Sequence, residues 1–447
     1  MVREKQFYRT FFTMAIVLIL QNMVTISVNL ADNMMLGAYA EKSLAGVAAV
    51  NQIQFILQQV LSSVAEGIVV LGGQYYGKGE IGQLKKIAAI AMRGGAYIAI
   101  GLFILVSICP HLLLSIFTTD EAIITEGMKY IALMRFSYLI FAVTQILLGT
   151  LRSIGVVRIA LVLSVVSLVV NCSINYVLIY GRFGAPRLGV VGAAIGTITA
   201  RIVELLVLIL YIRRTEHVLN LRPSDYLARD AVLRKDYVRV TLPMMVISAL
   251  WGFNQAAQNA ILGHMSSGAI AANSVASTLF LMVKSAAIGS ASTASIIISR
   301  TIGEGNMDKL KRYARTLQVL FVCVGAVSAF ILFMIRDPIL SVYNLEPETM
   351  AMARSFLTIL VVIVFTMSYQ MSTNIGIVRG GGDTKYVMIL DLVSIWGIVI
   401  PLSFIMAFVV KASPFVVVCC LNADQVFKCV PAFIKCNFGH WAKKLTR

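Results

Sequence analysis

Charge is scarce in this sequence. Only 13% of its 447 residues are Asp, Glu, Lys or Arg, while 59% are hydrophobic; an ordinary soluble domain has about 25% and roughly 45–50%. A water-soluble fold cannot hide that much apolar surface. Histidine is scarcer still: His111, His217, His264 and His440 are the four, and all fall in loops, in the tail or at the ends of apolar runs. A membrane-embedded metal enzyme needs such ligands inside its apolar runs, so that class is disfavoured and no metal or cofactor is expected. The seven cysteines are odd in number, form no Cys-x-x-Cys pair and lie mostly within apolar runs, which predicts free thiols. Phosphate-binding loops are missing as well. Gly72–Gly79 and Arg379–Lys385 are glycine-rich, yet neither fits GxxxxGK[ST] after a strand, and both read as tight turns.

What is present in quantity is long apolar runs. A membrane-crossing helix needs about 20 apolar residues. The sequence supplies twelve such stretches, near 10–36, 44–72, 87–108, 126–149, 157–180, 189–211, 241–263, 268–298, 314–335, 349–375, 386–410 and 414–434. The first is too long for a cleaved leader and lacks a small-residue cleavage site, so it is expected to remain as the first helix. The net charge of +17 is carried between the runs rather than along one basic face, which argues against nucleic acid. With the N-terminus inside, 26 basic residues fall on the inner segments and five on the outer ones. That bias predicts cytoplasmic termini and a multi-pass protein of the inner or plasma membrane.

Sliding the chain along itself by about 226 residues brings Gly77-Lys78-Gly79 onto Gly303-Glu304-Gly305, Leu36-Gly37 onto Leu262-Gly263, and Leu114-Ser115-Ile116-Phe117 onto Leu340-Ser341-Val342-Tyr343. The second half is a diverged copy of the first. Six spans per copy is an even number, so both copies enter the membrane from the same side. The expectation is an all-α integral membrane protein with twelve transmembrane helices in two pseudo-symmetric six-helix lobes around a central cavity. Residues 1–211 would form the first lobe, 212–237 a cytoplasmic linker containing Arg222-Pro223-Ser224-Asp225, and 238–447 the second lobe.

Polar residues inside the runs are ordered. Gln21, Thr25, Asn29 and Asp32 follow at helical steps and share one face, as do Asn51, Gln54, Gln58, Ser62 and Glu66, and Ser164, Ser167, Asn171 and Asn175. The second half offers Trp251, Gln255 and Gln258, then Asn273, Ser277 and Lys284, then Thr366, Gln370 and Thr373. These stripes are read as lining a wet cavity, against the plainer reading that such side chains join packed helices at about 0.6 kcal/mol each. An ionisable group at mid-membrane costs roughly 2.5–3.5 kcal/mol. Asp32, Glu66, Arg201, Glu204, Lys284, Asp391, Asp424 and Lys428 are the candidates. Arg201 with Glu204 and Asp424 with Lys428 have the spacing of structural ion pairs, and Lys284 and Asp391 are candidates to neutralise one another. Asp32, among amides and without a cation on its own turn, is the candidate for proton binding.

Asn29-Leu30-Ala31-Asp32 with Met35-Leu36-Gly37, then Leu44-Ala45-Gly46-Val47, Gln74-Tyr75-Tyr76-Gly77-Lys78-Gly79, Leu151-Arg152-Ser153-Ile154-Gly155 and Val378-Arg379-Gly380 resemble the multidrug and toxic compound extrusion (MATE) transporters. The resemblance covers nearly the whole chain. It implies a monomeric secondary transporter that exports amphipathic, often cationic, organic compounds in exchange for H⁺ or Na⁺ by alternating access of two lobes. In the DinF-like branch a Leu-Ala-Asp carboxylate late in the first helix is the coupling group, and Asp32 matches it. That branch partners it with Asn-x-x-x-Asp in the fifth helix; Asn171 matches the Asn, but Asn175 stands where the Asp would be, leaving one titratable group fewer. The NorM-like branch places acids where Trp251 and Ser368 stand here, so its cation site is not expected. A lipid-linked oligosaccharide flippase with the same architecture is the runner-up; it would need several cations facing the cavity, for which Arg201 and Lys284 are the deep candidates. A passive channel fits a two-lobed repeat less well.

Overall fold

The protein is described by a computed structural model covering residues 2–215, 218–219, 223–227, 229–341 and 346–446. His217, Arg222, Val342 and Tyr343 lie outside these residues. Among the described residues twelve long helices fill the expected runs: α1 (Lys5–Tyr39), α2 (Glu41–Gly77), α3 (Ile81–Ile108), α4 (Glu121–Ser153), α5 (Arg158–Tyr180), α6 (Val190–Arg214), α7 (Ala231–Met265), α8 (Ser267–Gly303), α9 (Met307–Leu340), α10 (Pro347–Arg379), α11 (Thr384–Val409) and α12 (Pro414–Phe438). Among the described residues eleven of them, all but α7, are long and apolar enough to cross a membrane. Their starts are set by ordinary capping chemistry. Asp120, Ser266 and Asn306 accept the backbone N–H of Ala122, Ala269 and Lys309 at 2.8, 3.0 and 2.9 Å, and Pro347 and Pro414 open α10 and α12, where a missing N–H costs nothing.

The helices form two compact units. One holds Leu20–Gly72 and Glu80–Val238; the other holds Met1–Ile19, Gly73–Gly79 and Arg239–Arg447. This division differs from a cut at residues 212–237 in two places, each with a packing reason. Phe7, Phe11 and Ala15 at the start of α1 join a buried cluster with Ile298, Leu317, Phe321 and Trp441. The end of α2 is held by its glycine: a Cβ at Gly77 would strike the Arg300 carbonyl, and one at Gly303 the Gln74 carbonyl. The two copies of the Gly-x-Gly motif thus lie against each other backbone to backbone.

Within the two units the cores repeat. Leu36, Ile53, Val106, Tyr130, Ile131 and Tyr138 are buried together in one. Leu262, Leu279, Leu332, Phe356, Leu357 and Val364, each 226 positions later in the sequence, are buried together in the other. Several helices contain wide turns in which the N–H bonds five residues back: Ile68–Gly72 in α2, Ser372–Arg379 in α10, and Leu392–Val399 and Ile405–Val409 in α11. Such turns collect at functional positions because they displace side chains from the regular helical pattern.

Candidate functional site

Asp32 lies seven residues before the end of α1. Tyr180, at the end of α5, donates its hydroxyl to the Met35 carbonyl at 2.8 Å and pins this last turn of α1 in place. Five residues back along α5, Asn175 donates Nδ2 to Asp32 Oδ1 at 2.6 Å and to Asn171 Oδ1 at 3.2 Å. Asn171 in turn donates to Thr197 Oγ1 on α6 at 3.2 Å. Both amides are buried, Asn175 completely, while Asp32 is half-buried. The donors therefore run outward from Asn175, to the Asp32 carboxylate on one side and through Asn171 to Thr197 on the other.

The amide orders itself chemically. With both Nδ2 protons committed, Asn175 presents Asp32 with a donor and never an acceptor, so the aspartate accepts at Oδ1 whether or not it carries a proton on Oδ2. Asn175 Oδ1 is buried without a hydrogen-bond partner among the described residues and lies directly against Gly196 of α6, where any Cβ would overlap it. A helical turn further on, Arg201 donates to Glu204 Oε2 at 2.9 Å and lies over the Phe141 ring at 4.8 Å. The same guanidinium is close enough to Asp32 to attract its charge. A carboxylate, two amides, a hydroxyl and a neutralised cation therefore converge inside one unit.

The remaining sequence candidates separate into four groups. Gln21 is half-buried, Thr25 and Asn29 are exposed, and Thr25 bonds the Gln21 carbonyl of its own helix at 2.9 Å; this stripe leads along α1 to Asp32. Asn51, Gln58, Gln258 and Asn273 are half-buried and Gln255 is exposed, with Gln258 donating to Asn254 at 3.4 Å. Ser164, Ser167, Asn171 and Asn175 on α5 are all buried, so that stripe faces neighbouring helices and not open space.

The fourth group is ionic. Glu66 pairs with Arg152 at 3.3 Å. Asp424 and Lys428 are joined at 2.8 Å, and Lys428 also reaches Asp391 at 2.8 Å. The anticipated Lys284–Asp391 neutralisation is replaced by this arrangement: Asp391 is taken by Lys428, and the Lys284 ammonium lies over the Trp251 ring at 4.9 Å. Sequence reading missed the bridge because Asp391 and Lys428 lie 37 positions apart on different helices. It also missed Thr197 and Gly196, although Thr197, Arg201 and Glu204 follow at helical steps and form a stripe like those recognised on α1 and α5. Gln370 is buried and donates to Gln425 Oε1 at 2.6 Å. Among the described residues no group of three or more His, Cys, Asp or Glu is placed to hold a metal ion.

Helices of this length, duplicated at a fixed step and carrying a lone carboxylate among amides, define an integral membrane protein of the repeat-built transporter class. The MatE family model matches residues 18–177 and again 243–405, two matches whose separation agrees with the repeat. The chain belongs to the MatE family. It is 27% identical over 379 residues to the probable multidrug resistance protein YoeA of Bacillus subtilis, covering 83% of this chain and 80% of that protein. It is 23% identical to the probable multidrug resistance protein NorM of Thermotoga maritima, over 96% and 92% of the two chains. A solved multidrug resistance MATE family transporter in an outward-facing conformation shares the fold, with a TM-score of 0.87 at 16% identity and 97% of each chain covered.

Proposed function

We propose that this protein is a secondary active antiporter of the plasma membrane, with cytoplasmic termini, that exports amphipathic cationic organic compounds and couples their exit to proton entry at Asp32. Family membership and the multidrug resistance proteins among its relatives support the transport class. The 2.6 Å bond from Asn175 to Asp32 supports the site. A deprotonated Asp32 attracts a cationic compound in a partly dehydrated space; protonation from outside removes that attraction and releases the compound outward. Asn175 follows the carboxylate through both states, because it donates to either. With an amide at 175, the centre exchanges one proton per cycle where an Asp pair would hold two. This arrangement is closer to the DinF-like than the NorM-like pattern.

Proton coupling is favoured over sodium because a single carboxylate offers few charged oxygens to replace a hydration shell. The flippase reading fares less well, since Arg201 is committed to Glu204 at 2.9 Å and a diphosphate headgroup calls for several available cations. The test is dye efflux from energised membrane vesicles under an imposed pH gradient or an imposed Na⁺ gradient. Efflux is expected with the pH gradient alone. Efflux driven by Na⁺ alone, with none under the pH gradient, rejects proton coupling.

A further inference from the structure

The second unit contains an ionic cluster that the coupling mechanism above does not use. Lys428 of α12 is 3% exposed and Asp424, one turn before it, is 3% exposed. The Lys428 Nζ lies 2.8 Å from Asp424 Oδ2 and 2.8 Å from Asp391 Oδ1 of α11. Asp424 Oδ2 also accepts from Gln425 Nε2 at 2.7 Å. Gln425 Oε1 accepts from Gln370 Nε2 of α10 at 2.6 Å, and Gln370 Oε1 from Asn374 Nδ2 at 3.2 Å. Asn374 Oδ1 is buried and has no donor among the described residues. From α8 the Lys284 ammonium, stacked on Trp251, also acts on Asp424. Cys429, the residue after Lys428, is a further titratable group, and its thiol is turned to the Thr366 and Gln425 carbonyls at 3.5 Å.

Two carboxylates and a string of amide groups around one monovalent cation is the composition of a small-cation site. Here the cation is a side chain. The wide turns of α10 and α11 begin at Ser372 and Leu392, two residues after Gln370 and one after Asp391, so both helices are locally unwound where they meet it. Asp424 is buried and Asp391 half-buried; two carboxylates so placed are unfavourable without a cation, the buried one most, and call for an ion, a proton or a permanent partner.

We propose that Lys428 is a tethered counter-cation, filling a two-carboxylate site in the second unit that would otherwise take a proton or a monovalent ion from water. The second unit then carries no exchangeable ion, and ion exchange is left to Asp32. This inference rests on the coupling role assigned to Asp32, but its test does not. Replacing the ammonium by Lys428→Gln empties the site, and the two carboxylates must recruit a substitute. The purified variant in detergent should gain a saturable rise in melting temperature on adding NaCl in place of choline chloride, and on lowering the pH toward acid. Wild type and Asp391→Asn, which keep the ammonium, should show neither dependence at this site.

If Lys428→Gln does not fold, the double variant Asp391→Asn/Lys428→Gln retains one carboxylate and should show the same Na⁺ or acid dependence in weaker form. Failure of both to fold under any salt or pH, or folding of either with no Na⁺ or acid dependence, overturns the proposal and leaves Lys428 a structural strut. A Na⁺-dependent rise in wild-type stability that persists in Asp32→Asn also overturns it. Because melting is read without any gradient, its outcome is independent of whether vesicle efflux is proton-driven.

Discussion

At the scale of single residues the centre depends on a hydrogen atom. Gly196 has no side chain, and the Oδ1 face of Asn175 occupies the space a methyl would fill. Gly196→Ala must either rotate the amide off Asp32 or part α5 from α6, and overpacking of this kind costs about 1–3 kcal/mol. Hydrogen bonds to charged groups are worth about 1.5–3 kcal/mol, so losing the 2.6 Å bond should lower gradient-driven efflux by about tenfold or more at equal membrane abundance. Gly101→Ala, whose added methyl meets open space, is the matched control and should pump normally. Equal efflux from both variants would show that the amide does not position the carboxylate. Asp32 was legible in sequence because a carboxylate on a polar helical stripe in an apolar run is conspicuous. Gly196 was not, since a glycine on an apolar helix has no feature that marks close approach.

Among elements, the least expected arrangement is the chain's C-terminal tail. Lys443 donates its N–H to the Gly381 carbonyl at 2.8 Å, and Trp441 is buried and donates Nε1 to the Cys436 carbonyl at 2.7 Å. Gln74 of α2 holds the tail from the other side, donating to the Lys443 carbonyl at 3.0 Å and accepting from the Leu445 N–H at 2.8 Å. The charge at the centre is Asp383, buried in the turn before α11 and bound to Lys435 and Lys443 at 2.8 and 2.7 Å. Burial alone would raise its carboxyl; the two lysines outweigh that and hold it below the ordinary carboxylate range.

A lowered folded-state value means that the stabilisation is complete above the unfolded value of about 3.9 and is lost as pH falls through the lower folded value. Asp383→Asn should therefore destabilise the purified protein by about 2 kcal/mol at neutral pH, with the gap between variant and wild type vanishing only below about pH 4. A gap that closes near neutrality would contradict the clasp. The helices themselves were readable from run lengths, and the glycine-rich turn at 379–385 is a turn, with Gly382 at φ 96°. The wide turns and the tail were not readable, because they follow from tertiary packing and carry no periodicity of their own.

For the whole molecule, duplication governs the core but not the chemistry. Buried positions recur at the 226-residue step, yet the position matching Asp32 is Gln258 and those matching Asp424 and Lys428 are Ile198 and Ile202. The repeat that made the architecture legible therefore says nothing of where the charges meet, and the ionic bridges had to come from geometry. One copy keeps a lone carboxylate facing donors, while the other has its carboxylates closed by lysine. In the proposed coupling the titration of Asp32 links proton entry to export, and one unit of pKa change between the two facing states corresponds to about 1.4 kcal/mol. The direct measurement is dye efflux against its gradient in vesicles containing Asp32→Asn, driven by an imposed pH difference. The variant keeps the size and a hydrogen-bonding side chain but cannot titrate, so it should fold, insert and fail to pump; efflux equal to wild type with the same pH dependence would show that Asp32 does not couple proton entry to export.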